Sequence, residues 1–184
     1  MKLKLLALFA ALSLTASAAT PAGWIVAGSD PKDYDYGTEV LAADGSKSAF
    51  IKAKSSAPNG FGTLMQMVSA DEYRGGRWKL SARMRTEKAV KAQMWMRVDG
   101  PERAMNAFDN MDDRPVSGNT EWKRYEIVLD VPPNSVGVAF GFFLFGGGEV
   151  WADDFKLERV PDTTPVTGIR QQQSRTPVNL DFEK

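Results

Sequence analysis

Gln93, Trp95, Arg97 and Asp99 alternate with Met94 and Met96 in the stretch KAQMWMRVDG. Period-two alternation of this kind is the mark of a half-buried strand. It sets Ala92, Met94, Met96 and Val98 on one face and a Trp between Gln and Arg on the other. A flat ring flanked by hydrogen-bonding side chains suits a ligand with both an apolar and a polar face. A pyranose fits: its C–H face stacks on the indole and its hydroxyls bond the neighbours. The following stretch, NAFDNMDDRP, adds Asp109, Asn110 and Arg114 on an adjoining loop or strand. The candidate ligand-binding set is therefore Gln93, Trp95, Arg97, Asp109 and Asn110.

A second group of interest is Asp153 and Asp154 in VWADDFKL. If Trp151, Phe155 and Leu157 face inward, strict alternation puts Asp153 on the core side, where an unpaired carboxylate is costly. Backbone N–H groups, an Arg or a cation would have to satisfy it. Catalysis has less to work with. The chain contains no His and no Cys, which removes the usual general base, the Ser-His-Asp triad and most zinc sites. Asp109, Asp112 and Asp113 could form a carboxylate pair of the kind glycosidases use. In a loop rich in Asn, Arg and Pro they read as turn formers and solvated charges. No nucleophile elbow or phosphate loop occurs, and the expectation is a protein that is not an enzyme.

These residues need strands to position them. SAFIKAKS sets Ala49, Ile51 and Ala53 against Phe50, Lys52 and Lys54, and RWKLSARMRTE sets Trp78, Leu80, Ala82 and Met84 against Lys79, Ser81, Arg83 and Arg85. GTLMQMVSA, WKRYEIVLDV, VGVAFGFFLF and GEVWADDFKLERV complete the set, with Pro132–Pro133 and Gly146–Gly148 among the intervening turns. Trp78 and Trp151 fall on inward phases, and Trp122 starts a strand. Seven or so short strands without a convincing amphipathic helix predict an all-β sandwich or barrel, and the about 140 residues from Trp24 to Val160 suit a two-sheet antiparallel β-sandwich.

The ends differ from this middle. Lys2 and Lys4, the apolar run LLALFAALSL and the small residues Ala16, Ser17 and Ala18 make the three-part pattern of a secretory signal. Residues 1–19 are read as that signal, residues 20–160 as the sandwich domain, 161–178 as a linker and 179–184 as a C-terminal strand packed back on the sandwich. The expected location is periplasmic or secreted, with no membrane span in the mature chain. Whole-chain charge is balanced at 23 basic and 23 acidic residues. That gives no electrostatic footprint for nucleic acid. Without disulfides, stability must come from core burial, with or without a metal.

Five stretches in order, GW (Gly23, Trp24), DGSKSAFIKA, YRGGRWKLSARMRTE, EWKRYEIVLDVP and GEVWADDFKLERV, resemble the galactose-binding-like β-jelly-roll, the fold of many non-catalytic carbohydrate-binding modules. The resemblance covers about three quarters of the chain. It implies a jelly roll and a binding role, with carbohydrate as the ligand; the alternative is a structural or interaction protein of the cell envelope that uses the same fold for a protein partner. Modules of this type often hold a structural Ca²⁺ between an Asp of the closing strand and the Glu of an N-l-x-F-E strand. Carried over, that implicates Asp153 or Asp154 together with Glu183. The N-l-x-F-E string, placed before the GW stretch in such modules, stands here at Asn179–Glu183. The implied arrangement is that NLDFEK completes the sheet, either of its own domain or of a neighbouring molecule in a strand-swapped dimer.

Overall fold

A computed structural model describes residues 20–40 and 46–167. The expected signal (1–19), most of the expected linker and the expected C-terminal strand with Glu183 lie outside the described residues. The described residues form nine strands: β1 (Ile25–Gly28), β2 (Tyr34–Val40), β3 (Lys47–Ala53), β4 (Phe61–Ser69), β5 (Gly76–Asp99), β6 (Met105–Asp109), β7 (Val116–Val131), β8 (Gly137–Phe145) and β9 (Glu149–Val160). Two single 3₁₀ turns, Pro31–Asp33 and Pro101–Arg103, are the only helical residues among those described. All pairings are antiparallel. The all-β, antiparallel architecture is as the alternation predicted, and the two-sheet sandwich is as the domain size suggested.

The two stretches read as separate strands are one strand, β5, of 24 residues. Its first half pairs with β7 and β9, and its second half with β8 and β6. It therefore belongs to both layers. One sheet runs β7-β5-β9-β3-β2 and the other β1-β4-β8-β5-β6. The crossing lies at residues 84–92, where the register with β7 shifts three times and Lys88 takes a left-handed φ of 49°. An irregularity of this kind bends a strand and re-aims its faces.

Both halves of β5 keep the predicted inward set: Leu80, Ala82 and Met84 in the first sheet, and Ala92, Met94, Met96 and Val98 in the second, have no exposed surface at all or almost none. Ile51, Leu64, Ile127, Phe142 and Val150 close the core from the facing strands. Burying a side chain of this size contributes about 1.5–3 kcal/mol, so a change such as Leu80→Ala costs about 2–5 kcal/mol. Trp24 packs edge-on against Phe155, Phe140 and Phe142 with ring centres 5.0, 6.3 and 6.3 Å away, filling the space between the sheets.

β9 corrects two sequence expectations. Between Asp153, opposite Arg83, and Lys156, opposite Ser81, β9 carries one residue more than β5, and Asp154 has a φ of 54°. One extra residue reverses the phase of everything beyond it. Val150 and Ala152 point into the core before the bulge, and Phe155 and Leu157 after it. Trp151 is buried, but on the outer face. Its indole N–H donates to Glu39, and Lys52 and Arg85 lie 5.1 and 4.9 Å from the ring centre. Asp153 shares that outer face and is not on the core side.

Candidate functional site

The second sheet presents an outer face that follows from the same alternation. With Leu64, Met94, Met96, Phe140 and Phe142 turned inward, the residues between them turn out: Thr63 and Met65 on β4, Phe143 on β8, Trp95 and Arg97 on β5. Across the sheet, Trp95 stands opposite Gly141, which stands opposite Met65. With no side chain at Gly141, the indole reaches over β8, and its N–H donates to Thr63 Oγ1 at 3.1 Å. The Thr63 hydroxyl in turn donates to the Phe142 carbonyl at 2.8 Å. Trp95 is only 9% exposed as a result.

Above this indole lies a groove of about 470 Å³. Phe61 and Phe143, a tilted pair with ring centres 5.4 Å apart, form one side together with Met65. Ala27 and Gly28 of β1 border it at one end, and Phe108 of β6 with Asn110 at the other. It crosses four inter-strand steps, about 19 Å at usual strand spacing. Its polar groups are few. Arg97 is held by Asp99 through Nε (2.7 Å) and Nη2 (3.1 Å), which leaves Nη1 for a ligand. Asn110 uses its Oδ1 to accept the Asp112 N–H at 3.2 Å, leaving its amide NH₂. No Asp or Glu lines this groove.

Of the five residues expected to bind ligand, the structure brings together Trp95, Arg97 and Asn110. Gln93 and Asp109 are not at the groove. Gln93 is fully buried beneath Asp112, to which its Nε2 makes a long 3.5 Å hydrogen bond; its Oε1 is the one buried side-chain polar atom among the described residues without a partner. Asp109 is 6% exposed and spent on the fold: Oδ1 accepts the Met111 N–H at 2.8 Å, and Oδ2 accepts Arg114 Nη2 and the Thr167 hydroxyl, each at 2.6 Å. It holds Met111, fully buried with a φ of 57°, in place. The aromatic wall of Phe61, Phe143 and Phe108 was missed. In FGFFLF both phases are apolar, so alternation does not tell the core ring from the groove ring.

Of the three residues that the resemblance implicates in calcium, two are described, and the carboxylates of both have protein partners. Asp153 Oδ2 accepts the Ser48 hydroxyl at 3.2 Å and Oδ1 accepts the Asp154 N–H at 2.8 Å. Asp154 faces Arg124 at 3.5 Å and Arg83 at 3.9 Å, guanidinium groups that repel a cation. Glu183 lies outside the described residues, and among those described no cluster of three His, Cys, Asp or Glu could hold a metal ion.

No protein-family model matches the chain. A curated relative, an uncharacterised HTH-type transcriptional regulator, YbfP, from Bacillus subtilis (strain 168), is 39% identical over 168 residues, which is 88% of this chain. The chain spans 57% of that relative's length. No α-helix, and so no helix-turn-helix, occurs among the described residues. Two solved structures similar in fold are an apo-form cyclase from Fischerella sp. (TM-score 0.60, 14% identical, 78% of this chain and 86% of that one) and the CBM22-1 xylan-binding domain of Paenibacillus barcinonensis Xyn10C (0.53, 12%, 78% and 90%). The fold is thus the galactose-binding-like β-jelly-roll, as the sequence resemblance implied. Because cyclases and sugar-binding modules share it, the fold alone does not decide between catalysis and binding.

Proposed function

We propose that the chain contains a non-catalytic binding module, that its ligand lies in the groove over Trp95, and that this ligand is a carbohydrate. The observation that carries the reading is the groove itself: an aromatic wall of Phe61, Phe143 and Phe108 over the largely covered Trp95, an open guanidinium nitrogen on Arg97 and a free amide on Asn110. Stacking over apolar surface with a few directed hydrogen bonds is how concave sites hold a sugar ring. A xylan-binding domain of the same fold supports it. Export, read from residues 1–19, belongs to the same proposal and places the module in the periplasm or medium.

A glycan array on the purified protein tests it. Arg97→Ala and Asn110→Ala are the controls, since both side chains are partly exposed and neither packs in the core. The expected result is one class of glycan bound and lost in both variants.

A second reading, a surface for a protein partner in the envelope, is favoured by a specific observation. Ile25, Met67, Met105 and Phe145, between 46% and 60% exposed, surround the same face. Contiguous exposed apolar surface marks interaction sites. A blank array, combined with concentration-dependent self-association in sedimentation that Met67→Lys abolishes, would favour that reading.

A further inference from the structure

Resting on the carbohydrate reading, we propose that the binding site continues over β6 into a second cavity, and that its ligand is an uncharged oligosaccharide long enough to span both. Phe108 and Asn110 line the groove and also a separate cavity of about 430 Å³ whose other walls include Asn106, Asp112 and Asp113. Phe108 stands opposite Arg97 in the strand register and is 38% exposed. It takes no part in the core, to which β6 contributes through Ala107 instead. The ring is therefore a ridge shared by two hollows, and a chain leaving the Trp95 floor crosses it. A second aromatic surface along that path is what a further sugar ring would stack on.

The charges favour a neutral chain. The single cation lining either cavity is Arg97, already engaged by Asp99. In the second cavity, which Asp109 also lines, Asp112 is paired with Lys91 at 2.5 Å, and Asp109 and Asp113 share Arg114 at 2.6 and 2.7 Å. Paired carboxylates still accept hydrogen bonds from hydroxyls. A uronate would meet those oxygens with no free counter-charge.

Calorimetric titration of the full chain tests the proposal, using xylo- and cello-oligosaccharides from disaccharide to hexasaccharide beside oligogalacturonides of matching length. The expected result is affinity that rises with length in a neutral series and then levels off. Phe108→Ala should cancel that rise, by roughly tenfold at most for the longest ligand, weaken the shortest ligand much less than the longest, and be rescued by Phe108→Tyr. Affinity independent of length, equal loss for short and long ligands, or tighter binding of the acidic series overturns the extension while the groove reading stands. Binding of no carbohydrate in either series overturns both.

Discussion

Trp95 and Thr63 sit on strands that are not neighbours, yet the indole N–H of one donates to the hydroxyl of the other at 3.1 Å across the bare backbone of Gly141. This bond lays the ring along the sheet as a floor instead of letting it stand as a post. Thr63→Val should leave the indole N–H without an acceptor and remove the hydroxyl's own bond to Phe142. An orphaned buried donor costs about 1–3 kcal/mol. Urea denaturation should show that loss as a lower midpoint with an unchanged slope, and Thr63→Ser should recover most of it. A Thr63→Val midpoint equal to wild type would mean the bond does not fix the floor.

Gly141 is required for a separate reason. A Cβ there would stand 2.1 Å from the Leu64 carbonyl oxygen and 2.9 Å from the Met65 Cα, both main-chain atoms of β4. Backbone cannot swing aside as a side-chain tip does, so Gly141→Ala should push β4 from β8. Strain of this order costs about 1–3 kcal/mol. Because the displaced residues carry Thr63 and Met65, ligand affinity should fall with thermal stability. Loss of stability with full affinity would show that the groove does not depend on this close approach.

The inward phases of β3 and β5 could be read directly, because each alternates cleanly between apolar and polar residues. What strict alternation could not give was a change of phase. The extra residue at Asp154 is invisible in VWADDFKL, since Asp, Asn and Gly are all common where φ is positive. That one residue moved Trp151 and Asp153 to the outer face. The groove was legible only where polar residues flagged it, at Trp95, Arg97 and Asn110. Phe61, Phe143 and Phe108 are apolar residues on an outward phase, and sequence alone treats such residues as core. Asp109 looked available because nothing local showed that Thr167, 58 positions on, would claim its carboxylate.

Thr167 also shows that the stretch read as a linker begins as part of the domain. Its N–H donates to Val128 O at 3.0 Å, its hydroxyl oxygen accepts the Val128 N–H at 2.8 Å, and the hydroxyl donates to Asp109 at 2.6 Å. Arg77 meanwhile donates to the carbonyls of Asp162 and Thr164. Thr167→Val should cost about 1–2 kcal/mol. Asp109→Asn should cost about 2 kcal/mol, below the full cost of breaking a buried pair because Arg114 is a third exposed. The two changes share one oxygen, so a double-mutant cycle should show clear non-additivity. Strict additivity would mean that the tail and the Asp109 loop are independent.

Lys91 and Asp112 close the surface above Gln93. The hydrogen bond and charge of Lys91 hold the Asp112 carboxyl below its ordinary value. A depressed carboxylate contributes stability above its unfolded pKa, about 4, and that contribution is lost as pH falls through the lower folded value. At an exposed pair the energetic effect is small and screened by salt, so the titration itself is the better readout. Carboxyl carbon shifts followed by NMR should place the Asp112 midpoint below that of free Asp in wild type, and higher in Lys91→Met. An unmoved midpoint in the variant would remove Lys91 as the cause.

The opposite sign applies at the tyrosines of β2. Tyr34 donates to the Gly60 carbonyl at 2.8 Å and Tyr36 to the Pro31 carbonyl at 3.1 Å. The Tyr36 hydroxyl occupies the place of a Cβ at Gly62, 2.1 Å from where that atom would be. Burial, with smaller contributions from neighbouring acidic groups, pushes both phenols above their ordinary value; burial does the same at Tyr125. Above pH about 10 the unfolded chain loses these protons while the folded chain keeps them. The folded state then binds more protons, and stability falls as pH rises. Phenolate absorbance from these residues should therefore appear together with the loss of near-UV dichroism, in one alkaline transition. Tyr36→Phe, which keeps the ring and removes the titrating group, should shift that transition to higher pH although it gives up a hydrogen bond. Phenolate signal from Tyr36 well before unfolding would show that its hydroxyl is not held as the packing against Gly62 requires.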